Sequence, residues 1–261
     1  MAKTLVKYEH QSPAVVITLN RPEKRNALSR ELITQLTDAF AEVKTDEKAR
    51  CVILTGEGTV FCAGMDLAEL QASVEQGMEN SPVWDDAQRL SQLYESIYSL
   101  PKPTIAAVSG AAVAGGAGMV SVCDIAVCSD SARFGYPEVR RGLVAAMVMP
   151  HLMRHVGERM ARYLLLTGEL IDAATAKSTG FVNEVVSAEE LMPQAMKWAS
   201  AIAEGGPNAL RLTKELLGQF SQQSTSIEET AKASAAPRLT EECQQGLKAF
   251  FAKEPVPWSV K

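Results

Sequence analysis

No dense run of basic residues occurs in this 261-residue chain, which holds 26 Lys and Arg against 31 Asp and Glu for a formal net charge of −5. Without a basic stripe it lacks the electrostatic footprint of a nucleic-acid binder, so RNA binding is disfavoured and no nucleic-acid partner is expected. No apolar stretch reaches membrane-spanning length without a charge, so no membrane partner is expected. The opening MAKTLVKYEHQSP has no apolar signal-peptide core, which points to a cytoplasmic location.

Cysteines are few and unpatterned. Cys51, Cys62, Cys123, Cys128 and Cys243 are odd in number and fit no zinc spacing, so they are expected to be reduced residues, mostly in the core, with no metal site. There is no internal repeat and no low-complexity tract. A GKS or GKT phosphate loop is absent, and AGGAG does not complete G-x-G-x-x-G, because the sixth residue counted from Gly116 is Ser121.

What the chain does have is alternation. AVVITL (14–19) and CVILT (51–55) are β-branched runs that read as buried strands. Between them Leu32, Leu36, Phe40 and Val43 share one helical face, with Ser29 as N-cap. Further strands are expected in PKPTIAAVSG, IAVCS, around ARFGY and near FVNEVV (181–186). Residues 71–99 read as loosely specified helix interrupted at Pro82, a candidate mobile segment over a site. Beyond about residue 188 the pattern is helical. Strand–helix alternation followed by helices predicts an α/β core over 1–190 and a helical region over 191–261.

Two segments carry chemistry. AGGAG follows an apolar strand and opens a helix with no bulky side chain, so its backbone can approach another group closely. Its unpaired N–H groups at a helix start can hold an oxyanion, although tight helix–sheet packing would also explain the glycines. FCAGMD likewise ends a strand in small residues. Two such junctions, if adjacent, would aim two N–H donors at one carbonyl oxygen and stabilise an enolate.

At this point the chain resembles the crotonase superfamily, the enoyl-CoA hydratase/isomerase family. The resemblance spans nearly the whole length through VVITLNRPEKRNALS, VILTGEGTVFCAGMDL, KPTIAAVSGAAVAGGAG, CDIAVCSDSARFGYPEVRRGL, LLLTGELIDAATAKSTGFVNEVV and LKAFFAKEPVPW, in that order. It implies a crotonase-type spiral of ββα units with a C-terminal helical trimerisation region, and a homotrimer or homohexamer. It implies an acyl-CoA thioester substrate, coenzyme A entering as part of that substrate and no separate cofactor. The thioester oxygen would be held by the backbone N–H groups of Met65 and Gly115, beside Gly116. Lys24, Arg25 and Ala27 would touch the pantetheine and phosphates, and Ala63, Asp66 and Leu67 would line the adenine and pantetheine path. Phe250 and Lys253 are candidates for reaching a neighbouring subunit's CoA.

Hydratases of the family resemble one another in carrying two glutamates, one to activate water and one to handle the α-proton. Here Glu138 in FGYPEV matches the second, while the position of the first is Gly118. One base suffices to move a double bond, so isomerisation of an enoyl-CoA by Glu138 is favoured. A hydratase with a non-standard second acid, drawn from Asp66, Glu69, Asp85, Asp86, Glu95 or His151, is the alternative, as is a non-catalytic CoA-binding protein. Asp124 reads as structural. Met147 and Met149 lie in an unusual loop expected to shape the acyl pocket. Arg140 and Arg141 face either a charged acyl group or solvent, with solvent expected for at least one.

Overall fold

The computed structural model describes residues 4–76, 82–221 and 227–255. A hairpin of β1 (Val6–Gln11) and β2 (Ala14–Leu19) leads through a charged loop into α1 (Arg30–Thr45). The Ser29 hydroxyl accepts from the Leu32 amide at 3.2 Å, capping that helix as its sequence predicts. Then come β3 (Cys51–Gly56), β4 (Val60–Cys62), α2 (Leu67–Glu75), α3 (Val83–Tyr98), β5 (Thr104–Val108), β6 (Ala111–Val113) and α4 (Gly115–Val122). The chain continues through β7 (Ile125–Ser129), β8 (Arg133–Gly135), α5 (Met149–Thr167), β9 (Leu170–Asp172), α6 (Ala173–Ser178) and β10 (Glu184–Val186). It finishes with α7 (Leu191–Ala203), α8 (Pro207–Ser221), α9 (Ile227–Ala235) and α10 (Glu241–Ala252). Gly157, at φ 71°, breaks α5 into two pieces.

Two sheets result. The larger has the order β1-β2-β3-β5-β7-β10, the smaller β4-β6-β8-β9. Each turn of the chain gives one strand to each sheet: β3 then β4, β5 then β6, β7 then β8. Pairing is parallel in both series, for example Ile53 with Ile105 and Ala112 with Phe134. This is a spiral of ββ units, most of them closed by helices, as expected.

Strands β2, β3, β5 and β7 are buried on both faces, which is why they read as continuous apolar runs. Val15, Ile17, Val52 and Leu54 face a large core shared with α1, α3 and α4. Val16, Ile53, Ile105 and Val127 face the opposite way, against Leu191, Ala195 and Ala199 of α7. All five cysteines are free and buried. Among the described residues no helix is long and apolar enough to cross a membrane.

The stretch read as loosely specified divides into α2 and α3 on either side of Pro82; residues 77–81 lie outside the described residues. Contrary to that expectation α3 is firmly specified. Val83, Ala87, Leu90, Leu93, Tyr94 and Ile97 are buried along it. Asp86 is buried too, gripped by Arg30 through two bonds of 2.7 Å and by the Ser73 hydroxyl at 2.9 Å. Burial opposes its charge, but Arg30 and Ser73 hold its carboxyl below the usual range.

Candidate active site

Strands β4, β6 and β8 lie side by side and parallel, so their C-terminal ends open on one edge of the small sheet. Loops emerging from such an edge are where α/β proteins place ligands. The first carries residues 63–66, the second 114–118 and the third 136–141.

The first loop is held against the charged loop before α1. Ala63 N donates to Arg25 O at 3.0 Å, Leu28 N to Gly64 O at 2.8 Å and Asp66 N to Leu28 O at 3.0 Å. Met65, between these anchored neighbours, finds no acceptor for its N–H among the described residues. The second loop is anchored by Ala114 N donating to Gly135 O at 2.8 Å. Ala114 then adopts φ 53°, ψ −122°, a conformation that costs a side-chain-bearing residue about 1–3 kcal/mol. The chain turns there directly into α4, leaving the Gly115 N–H as a free first-turn donor. The two loops abut: a Cβ built on Gly64 would lie 3.2 Å from the Gly115 nitrogen.

These loops open on a cavity of about 120 Å³ whose walls include Ala63, Met65, Leu67, Leu90, Gly115 and Met147. Glu138 reaches it from the turn Pro137–Arg141. Among the described residues that line the cavity it is the only one bearing a carboxylate. Its Oε2 is buried without a hydrogen-bond partner. Burial pushes its carboxyl up to about 7, against the opposing pull of Arg141 and Arg238.

Position 118 admits no side chain. A Cβ there would fall 2.4 Å from the Tyr94 hydroxyl and 2.7 Å from Val148 Cγ1. Tyr94 is buried, donates to Gly115 O at 3.0 Å, and is kept in its neutral form by burial.

The other carboxylates named from the sequence do not reach the cavity wall. Asp66 caps α2 and pairs with Arg21 at 2.7 Å. Burial opposes its charge, but Arg21 holds its carboxyl below the usual range. Glu69 accepts from the Arg30 amide at 2.8 Å, and Asp86 is the buried partner of Arg30. Asp85 and Glu95 lie elsewhere on α3. His151 packs edge-on against Tyr98 at 4.7 Å, and burial brings it down to about 4. Asp124 accepts from Thr104 N at 2.7 Å and from Lys214 at 2.7 Å, the structural part foreseen for it.

Ala63, Met65, Leu67, Gly115 and Glu138 thus meet at one cavity. Lys24 and Arg25 are exposed on the loop outside it, with Ala27 half-buried beside them. Gly116 does not line it but packs on Cys62, where a Cβ would fall 2.3 Å from the Cys62 carbonyl oxygen. Phe250 is half-exposed beneath the Arg141 guanidinium, 4.6 Å from its ring centre, and Lys253 ends α10 at φ 57°. Met147 lines the cavity, whereas Met149 begins α5. Arg140 pairs with Glu169 at the surface, while Arg141 lines the cavity with its Nε buried and unpartnered. Sequence reasoning missed Tyr94, Ser234 and Arg238, which also line it. Nothing local marks them, because α3 and α9 are brought there only by the packing of the whole chain.

This chain belongs to the enoyl-CoA hydratase/isomerase family, whose family model matches residues 9–261. It is 42% identical over 244 residues to a Thermus thermophilus protein that carries the provisional name enoyl-CoA hydratase, covering 92% of this chain and 95% of that one. It is 34% identical over 250 residues to the mevalonyl-coenzyme A hydratase of Aspergillus fumigatus, covering 94% and 90%. Among solved structures, an enoyl-CoA hydratase/isomerase from Xanthobacter autotrophicus superposes with a TM-score of 0.85 at 28% identity, covering 99% of this chain and all of that one. The chain is accordingly an enzyme of this family, acting on CoA thioesters.

Proposed function

We propose that the enzyme shifts the double bond of an enoyl-CoA with Glu138 as its single general acid/base. The observation that carries this reading is the occupied space at position 118. Tyr94 and Val148 fill the space a side chain would need at position 118, which the resemblance matches to one of the two hydratase glutamates. The Glu138 carboxylate removes the α-proton of a 3-enoyl thioester, and electrons flow to the thioester oxygen. The N–H groups of Met65 and Gly115 hold the resulting dienolate. Glu138 then returns the same proton at the γ-carbon, giving the 2-enoyl thioester. The balance is one proton moved, so no metal or nicotinamide is required. A carboxyl near 7 suits a group that must both take and give a proton.

Lys24, Arg25 and Ala27 border the approach as the CoA-binding loop. Tyr163 and Leu166 on α5 and Leu212, Leu216 and Leu217 on α8 are exposed apolar side chains. They offer contact surface for the homotrimer or dimer of trimers that the resemblance implies, with Phe250 and Lys253 reaching toward a neighbour's CoA.

Purified protein given medium-chain 3-enoyl-CoA and 2-enoyl-CoA separates the alternatives. Conversion of the former without water addition, lost in Glu138→Gln, is the expected result. Efficient hydration of the latter would return the assignment to a hydratase. Failure of both, and of their analogues with a terminal carboxylate, alongside tight binding of CoA would identify a non-catalytic CoA-binding protein.

A further inference from the structure

Arg238 lies on the turn Ala236–Leu239 after α9, is only 5% exposed, and lines the same cavity as Glu138. Its Nη2 donates to the Ser234 hydroxyl at 3.2 Å, while its Nη1 is buried with no partner. A guanidinium cannot shed its proton to escape this situation, and a buried cation without a counter-ion is costly.

The nearby carboxylates Asp86 and Glu138 act on this charge without contacting it among the described residues. Asp86 is engaged by Arg30 and, at 3.2 Å, by Arg89. Glu138 leaves Oε2 unpartnered and makes no ion pair with Arg238 among the described residues. Arg141 adds a second guanidinium to the wall, its Nε also unpartnered. Two fixed cations therefore face one carboxylate that is readily protonated, while the rest of the lining is largely leucine, valine, alanine and methionine. Arg141 also stacks on Phe250 and donates to Pro137 O at 3.4 Å, but a hydrocarbon tail would leave its Nε and the Arg238 Nη1 unsatisfied, whereas a carboxylate is matched to their planar forks.

We propose that the acyl group accepted here is anionic: a dicarboxylic acid joined to CoA through one carboxyl, its other carboxylate bound by Arg238 with Arg141 beside it. The proposal rests on the acyl-CoA reading of the cavity but not on which reaction follows.

The test is direct binding by titration calorimetry of two saturated, unreactive thioesters of equal carbon number, glutaryl-CoA and pentanoyl-CoA. Glutaryl-CoA is expected to bind the wild-type enzyme at least about tenfold more tightly, the scale of a charge-assisted hydrogen bond. In Arg238→Met that ratio should fall to within about twofold, with Arg238→Lys intermediate, and thermal unfolding of each variant checks that it is folded. Equal or weaker binding of glutaryl-CoA by the wild-type protein overturns the proposal, whatever the variants do. The functional reading fails separately, if neither 3-enoyl-CoA nor its analogue with a terminal carboxylate is isomerised. A glutaryl preference without turnover of either keeps the anionic pocket and removes the isomerase, and turnover without the preference does the reverse.

Discussion

The Tyr94 hydroxyl donates to the Gly115 carbonyl at 3.0 Å and occupies the volume that a side chain on Gly118 would need. One phenol thus braces the peptide that follows the strained Ala114 and closes the position of a second acid. Gly118→Glu is therefore expected to lose about 1–3 kcal/mol of stability by overpacking and to gain no hydration. Tyr94→Ala and Val148→Ala combined with Gly118→Glu clear both obstructing side chains. The triple variant should add water to 2-enoyl-CoA faster than Gly118→Glu alone, as read by enoyl absorbance and product mass.

Burial holds Glu138 up at about 7, and the base must be ionised to accept the α-proton. The rate constant kcat/KM for 3-enoyl-CoA should rise about tenfold per pH unit below 7 and level off above it. Stability runs the other way. A carboxyl raised in the folded state favours the fold while it is neutral, and that advantage disappears as pH climbs from about 4.5 through 7. Glu138→Gln lacks this dependence. Relative to wild type it should gain up to about 3 kcal/mol between pH 4.5 and 8, measured by urea unfolding.

Lys24 and Arg25 are exposed and lie next to the segment that ends in Met65. If they meet the CoA phosphates, Lys24→Ala and Arg25→Ala should each raise KM by several-fold to about tenfold with kcat nearly unchanged. Added salt should mimic the substitutions and add little to them. A fall in kcat at constant KM would speak against this placement.

Asp86 is a buried anion whose charge is answered chiefly by Arg30. Arg30→Met leaves that carboxylate with only the 3.2 Å bond from Arg89 and the Ser73 hydroxyl, at an expected cost of up to about 3–5 kcal/mol in denaturant unfolding. Asp86→Asn together with Arg30→Met should be less damaging than Arg30→Met alone, because the charge has gone along with its partner.

Most of the spiral was readable because its strands are buried on both faces. AVVITL coincides with β2, and the glycine run opens α4 at Gly115. The first strand was not foreseen: VKYEHQ carries polar and charged residues, and it is a strand because it pairs with β2, from Val6 opposite Leu19 to Gln11 opposite Ala14. The three-residue β9 carries little signal of its own, since its partner β8 defines it. The cavity position of Glu138 was legible from FGYPEV and its resemblance. The fate of Asp86 was not, since its partner lies 56 residues away. Arg238 was invisible to local reasoning: nothing in APRLTEE distinguishes a surface arginine from one sealed in a cavity.

The three neighbouring strand ends give the cavity a modular character. β4, β6 and β8 pair side by side, and each leads to a different group at the cavity: the Met65 amide, the Gly115 amide, and the Glu138 carboxylate on the turn beyond. Because the ladder rather than the loops fixes their spacing, each loop can be rewritten without dismantling the other two. A scaffold of this kind can be kept while the chemistry at one loop end changes, and on the reading proposed above residue 118 is one such setting.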